Sequence, residues 1–274
     1  MPKAKKQKRK INYYLIILDK SGSMSSVATD TISGFNEQVQ TVKDLTRKHP
    51  DQEFVVSLVT FNHEVDYVFF GAESDELDEI KDDAYSPDGM TALYDAVCLS
   101  INKVRHDMKK ELKNEDVHVF CTIFTDGCEN HSVEFTREQF NELTKSIETD
   151  KSWTLTYIGA NHDVGAAAAG MGISAGNTAA FSHTGVGSKA AMRGVSAVLR
   201  RSAEYRSAGL DSDDDRFDSM VSDVYDKAYT AEVDNMTIGG TEAKPVWDKD
   251  KSLDWKPEDD DTKKAKAKNK KPKK

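Results

Sequence analysis

Two stretches of this 274-residue sequence, Phe54-Val-Val-Ser-Leu-Val-Thr-Phe61 and Val117-His-Val-Phe-Cys-Thr-Ile-Phe124, are nearly continuous apolar runs of strand length. Successive side chains of a strand point to opposite sides, so a strand with one wet face alternates polar and apolar residues. A run that does not alternate is covered on both faces, and such strands belong to largely parallel sheets flanked by helices. Residues 11 to 205 repeat this pattern, with further strands expected at Tyr13 to Asp19, Val65 to Phe70, Trp153 to Gly159 and Thr178 to Ser182. Between them, Ile32, Phe35, Val39, Val42 and Leu45 recur at helical spacing, as do Leu93, Val97, Ile101, Val104 and Met108. Thr136-Arg-Glu-Gln139 has capping-box form ahead of Phe140, Leu143 and Ile147, while Ala166 to Ala169 and Lys189 to Tyr205 complete the helical set. Residues 62 to 64 are too few for a parallel crossover, so the second and third strands are expected to form an antiparallel hairpin at a sheet edge. The fold class is therefore α/β: a mostly parallel six-stranded sheet with one antiparallel edge strand and helices on both faces.

Charge divides the chain further. The formal net charge is −9, but residues 1 to 10 hold six basic and no acidic groups, and residues 263 to 274 hold eight Lys and no acid. Residues 206 to 262 carry 17 acidic and 7 basic groups without sustained periodicity. The expected organisation is a basic disordered tail at 1–10, a folded domain at 11–205, an acidic disordered linker at 206–262 and a Lys-rich tail at 263–274. The tails could neutralise phosphates by counterion release, which makes nucleic acid a second partner to consider. No aromatic residue is interleaved among the terminal lysines, so base stacking is not expected there.

Three cysteines, Cys98, Cys121 and Cys128, have no motif spacing, which suits a reducing cytoplasm. No run of 18 or more apolar residues suggests a membrane span. Lys3 to Lys10 followed by Ile11 to Leu18 imitates a signal peptide. It lacks an A-x-A cleavage pattern and runs into Asp19-Lys20, so a cytoplasmic protein is expected.

The first strand ends in Asp19-Lys20-Ser21-Gly22-Ser23, a D-x-S-x-S cluster, and the fourth ends in Thr125-Asp126-Gly127. Gly89-Met90-Thr91 precedes the second helix. Ligand sites of open α/β sheets form outside the carboxyl ends of the strands, where the winding reverses. If the first and fourth strands are neighbours, these three segments converge.

These segments resemble those of von Willebrand factor type A (vWA) domains with a metal-ion-dependent adhesion site (MIDAS). Asp19, Ser21, Ser23, Thr91 and Asp126 match the family's D-x-S-x-S, Thr and Asp positions without substitution. The resemblance covers residues 11 to 205. It implies a Rossmann-like, doubly wound sheet of order 3-2-1-4-5-6 with the third strand antiparallel, and it implies that these five residues hold one divalent cation. Mg²⁺ is the expected ion, with Mn²⁺ or Ca²⁺ as alternatives. A hard cation such as Mg²⁺ takes about six oxygens. Ser21, Ser23 and Thr91 offer short neutral donors, and Asp19 and Asp126 balance the charge. An ion held by neutral hydroxyls stays electron-poor and favours a carboxylate from another molecule. The resemblance thus implies a non-enzymatic adaptor of prokaryotic or phage type that binds an Asp or Glu of a partner protein.

Other chemistries fit less well. Asp19 could imitate a D-x-D phosphatase nucleophile, but Ser21 replaces the second carboxylate. Neither serine lies in a G-x-S-x-G elbow, Gly170-Met-Gly172 follows no strand, and Gly187-Ser-Lys189 lacks P-loop spacing. Cys128 reads as incidental, the seven histidines as surface or packing residues, and the acid-rich segment from Glu73 to Asp83 as a solvated helical face.

Overall fold

A computed structural model describes residues 8–160, 164–209 and 223–231. The strands are β1 (Lys10–Asp19), β2 (Gln52–Phe61), β3 (Val65–Glu73), β4 (Asp116–Thr125), β5 (Trp153–Ala160) and β6 (Thr178–Phe181). The helices are α1 (Ala28–Lys48), α2 (Leu93–Asp107), the single turn α3 (Glu111–Asn114), α4 (Arg137–Glu148), α5 (Val164–Gly170) and α6 (Gly185–Ser207). The sheet order is β3-β2-β1-β4-β5-β6. Every neighbouring pair is parallel except β2 with β3. This is the Rossmann-like, vWA-type α/β architecture expected from the sequence.

The lack of alternation in β1 follows from two cores. Tyr14, Ile16 and Leu18 pack on one face with Phe35, Val39 and Val42 of α1 and with Met192, Val195 and Leu199 of α6. Tyr13, Leu15 and Ile17 pack on the other face with Leu93, Val97 and Ile101 of α2, Phe140 of α4 and Ala168 of α5. Each such aliphatic side chain contributes about 1.5 to 3 kcal/mol by leaving water. α4 starts with the expected capping box, in which Thr136 Oγ1 accepts from Gln139 N and Gln139 Oε1 accepts from Thr136 N.

Three expectations require comment. The acid-rich segment after β3 is a succession of turns, not a helix. Only Leu77 and Ile80 of it are buried deeply. Asn36 of α1 holds the Ile80 backbone from both sides, accepting from its N–H at 2.9 Å and donating to its carbonyl at 3.0 Å. An open backbone tied to a neighbouring side chain replaces helical hydrogen bonds that seven mutually repelling acids would not favour. Second, α6 runs to Ser207, and residues 223–231, within the segment expected to be an acidic linker, form a further helix. Its Tyr225 and Tyr229 enter the α1–α6 core. A Cβ at Gly194 would lie 2.7 Å from the Tyr225 ring, so glycine there admits the ring to the α6 backbone. The sequence signal is two aromatics at i, i+4 in a short acidic stretch, too brief to register as a period. Third, residues 1–7, 210–222 and 232–274, with both basic tails and most of the acidic segment, lie outside the described residues, apart from Lys8, Arg9 and Lys10 of the first tail.

His118, buried in β4, shares a 2.9 Å hydrogen bond between Nε2 and Thr154 Oγ1. Burial, and secondarily the Arg206 charge, push its imidazole from 6.5 down to about 3. The unfolded chain takes up a proton that the folded protein refuses, so stability falls as pH drops from 6.5 towards 3, by up to about 1.4 kcal/mol per unit. In urea titrations between pH 6.5 and 5, His118→Gln is expected to lose about 2 kcal/mol less stability than wild type. An identical pH dependence would contradict this assignment.

Candidate metal centre

The three loops predicted to converge do so at the carboxyl edge of β1 and β4. β1 delivers Asp19, fully buried, and its carboxylate is fastened twice. Oδ1 accepts from Ser21 N at 2.7 Å, and Oδ2 accepts from Thr125 Oγ1 at 2.5 Å. Beyond it the chain turns into a 3-10 helix, Gly22–Val27, which places Ser21 Oγ and Ser23 Oγ 3.2 Å apart. Ser23 Oγ donates to Asp126 Oδ1 at 2.7 Å. Thr91 comes from the opposite side. A Cβ placed on Gly127 would stand 3.2 Å from Thr91 Oγ1 and 3.7 Å from Asp19 Oδ2, so both oxygens face the same point beside Gly127. All five predicted residues therefore share one edge of the sheet. Ser23 is exposed and the other four are buried.

The loops are tied to one another by backbone hydrogen bonds. Gly22 N donates to Gly89 O at 3.2 Å, Asp88 N to Lys20 O at 3.0 Å, and Ala92 N to Asn62 O at 2.6 Å. Gly89 has φ +70°, in the left-handed region that favours glycine, and a Cβ there would meet His63 Nδ1 at 2.3 Å.

Sequence reasoning missed the clamp that holds Thr91. The loop after Asp126 folds over the start of α2 and satisfies its free N–H groups. Asn130 Oδ1 accepts from Thr91 N at 2.9 Å, Glu129 Oε2 from Tyr94 N at 2.9 Å, and Ser132 Oγ from Asp95 N at 3.1 Å. Asp95 returns the interaction, accepting from the backbone N–H groups of Val133, Glu134 and Phe135 at 2.8 to 3.2 Å. An acidic residue in a helix's first turn is common for dipole reasons, so sequence provided no sign of this role for Asp95.

Electrostatically the centre lacks a cation. Asp19 and Asp126 are both buried, and neither meets a Lys or Arg among the described residues. Burial pushes the Asp19 carboxyl up to about 6; hydrogen bonds from Thr125 and Ser21 oppose this, and the Asp126 charge adds to it. Lys20, the residue after Asp19, is engaged by Asp66 at 2.5 Å. Two buried carboxylates with hydroxyls between them fit a hard divalent ion, which would supply the missing charge and take the hydroxyl oxygens.

Asp126 has one further neighbour, also missed. His183 Nε2 lies 2.8 Å from Asp126 Oδ2. The contact has ion-pair distance, and Nε2 is buried without a hydrogen bond among the described residues. The available sequence signal was its place two residues beyond the last strand.

No protein-family model and no curated protein matches the sequence. Solved structures do match. The PilB minor pilin from Streptococcus sanguinis is 13% identical, with 74% of this chain and 64% of that chain covered and a TM-score of 0.50. The mussel byssus proximal thread matrix protein 1 with a zinc-occupied MIDAS motif is 15% identical, over 69% of this chain and 45% of that one, with a TM-score of 0.45. The ArnB paralog VWA2 from Sulfolobus acidocaldarius is also 15% identical, over 66% and 43%, with a TM-score of 0.42. The chain spans less than two thirds of the length of each. At these identities the likeness is one of fold alone. Among the described residues, no helix is long and apolar enough to cross a membrane.

Proposed function

We propose that this chain is a divalent-cation-dependent protein-binding module, in which Asp19, Ser21, Ser23, Thr91 and Asp126 hold one ion. The ion, Mg²⁺ in the first instance, accepts an Asp or Glu of a partner protein. The observation that carries the reading is the pair of buried carboxylates without a Lys or Arg partner among the described residues, surrounded by hydroxyls at a loop-built edge. Such an arrangement is costly unless a cation completes it. Without the ion, the acidic edge would repel a carboxylate partner, so binding should depend on metal steeply. The reading is of binding and not of catalysis, because both oxygens of the Asp19 carboxylate are already engaged, by Ser21 N and Thr125 Oγ1.

Calorimetric titration of Mg²⁺ and Mn²⁺ into the full chain, followed by affinity capture with and without chelator, tests this. The expected result is one bound ion, and partners that are lost both on chelation and in Ser21→Ala/Ser23→Ala. Absence of ion binding at millimolar concentrations would reject the reading.

A further inference from the structure

The five-oxygen set leaves His183 unused. Its side chain is 17% exposed, against 1% for the Asp126 side chain it covers. Nε2 itself is buried and makes no hydrogen bond among the described residues. A buried polar nitrogen without a hydrogen bond costs about 1 to 3 kcal/mol unless something occupies its lone pair or N–H. The position is also tightly prepared. Phe181, at the end of β6, stacks on Phe124 at 4.5 Å and 24°, reaching across β5, where Ile158 stands opposite Phe124 and Ala160 opposite Phe181. Ser182 N donates to Tyr229 Oη at 3.0 Å, so the 223–231 helix fastens the residue before His183. Thr184, the residue after it, caps α6 by accepting from Gly187 N at 3.1 Å. A side chain packed on both flanks and aimed at a site carboxylate has the preorganisation of a ligand.

We propose, resting on the cation reading above, that His183 Nε2 is itself a ligand of the ion. The centre is then a mixed nitrogen and oxygen site, which favours Zn²⁺, Co²⁺ or Mn²⁺ over Mg²⁺ and Ca²⁺. Two ligands of one octahedral ion with bonds of ~2.0 to 2.1 Å stand about 3 Å apart. The 2.8 Å between Nε2 and Asp126 Oδ2 suits such an edge, while Ser23 Oγ donates to the other oxygen, Oδ1, at 2.7 Å. Imidazole is a borderline donor that strengthens binding along the first-row series and does little for Mg²⁺ or Ca²⁺. Among the described residues no three His, Cys, Asp or Glu side chains form a metal cluster by themselves, so the hydroxyls remain essential to the set.

The competing account is that His183 merely positions Asp126, and the two differ in selectivity. Affinities for Zn²⁺ and Mg²⁺ would be measured by competition calorimetry on the full chain and on His183→Ala, with metal-free melting as a check on folding. A ligand role predicts that His183→Ala loses about tenfold or more in Zn²⁺ affinity and less than about threefold in Mg²⁺ affinity. It also predicts a nitrogen coupling to bound Mn²⁺ in pulsed EPR of the wild type that vanishes in His183→Ala and in His183→Gln. His63→Asn, which removes one ring of the separate His63–His131 pair, should leave that coupling unchanged. Equal losses for both ions, with no nitrogen coupling in the wild type, would overturn the proposal and leave the cation reading standing. Failure of the wild type to bind any of the ions would remove both.

Discussion

Asp19→Asn is expected to abolish stabilisation by Mg²⁺ while making the metal-free protein more stable at neutral pH. The two effects have one cause. Asp19 is buried beside Asp126 with no basic partner, and its carboxyl is pushed from 3.8 up to about 6. The folded protein therefore holds a proton that the unfolded chain has released across that interval. Stability falls as pH rises from about 4 to 6, and above 6 the folded state carries a cost of about 3 kcal/mol. An amide removes the charge and nearly keeps the shape. Its oxygen can still accept from Ser21 N, and the Thr125 hydroxyl can accept from its NH₂ while donating to Gly127 O, already 3.2 Å away. For the wild type, Mg²⁺ at a hundred times its Kd adds about 2.7 kcal/mol. In a domain of this size that corresponds to a rise in Tm of about 5 to 10 °C. Melting curves at pH 7.5 with Mg²⁺ and with chelator should show this rise in wild type, none in Asp19→Asn, and a higher chelated Tm for the variant. A Mg²⁺-dependent rise retained in Asp19→Asn would remove Asp19 from the site.

Asp95→Ala should be the most damaging single change outside the ligand set. Three backbone N–H groups of the loop after Asp126 end on this buried carboxylate, and hydrogen bonds to a charged group are worth about 1.5 to 3 kcal/mol each. The expected loss in urea unfolding is about 3 to 5 kcal/mol. A structural residue could do that anywhere in the molecule, so the second measurement is the informative one. The same loop grips Thr91 through Asn130, and its release lets Thr91 move away from Asp19 and Gly127. Asp95→Ala should therefore weaken ion binding by tenfold or more under conditions where the protein is still folded. Asp95→Asn, which retains one acceptor oxygen, should fall between. Undiminished ion affinity in a folded Asp95→Ala protein would show that the clamp does not set the position of Thr91.

Much of the fold was legible because its signals are local. Residues such as Tyr13 to Leu18 are apolar on both faces, which is a property of consecutive positions, and the strand limits read from them lie within a few residues of those observed. The short β2–β3 link demanded an antiparallel edge by length alone. The ion-binding candidates were legible for a different reason: Asp19, Ser21, Ser23, Thr91 and Asp126 match the D-x-S-x-S, Thr and Asp positions of the vWA family that the sequence resembles. The segment from Glu73 to Asp83 misled because its acids suggested a solvated helix, whereas its structure depends on two apolar anchors and on Asn36, far away in the chain.

The sequence by itself determined the double-faced parallel sheet, since burial period is written in neighbouring positions, and its resemblance to vWA domains singled out five oxygen-bearing residues at the carboxyl edge. Tertiary structure alone decided that Asp95 and Asn130 would lock Thr91 in place, that Tyr225 and Tyr229 would return to the core, and that His183 would reach Asp126. Each of these is a contact between residues remote in sequence. For His183 it forms because β4, β5 and β6 lie side by side and Phe181 stacks on Phe124, a consequence of packing that no local pattern encodes.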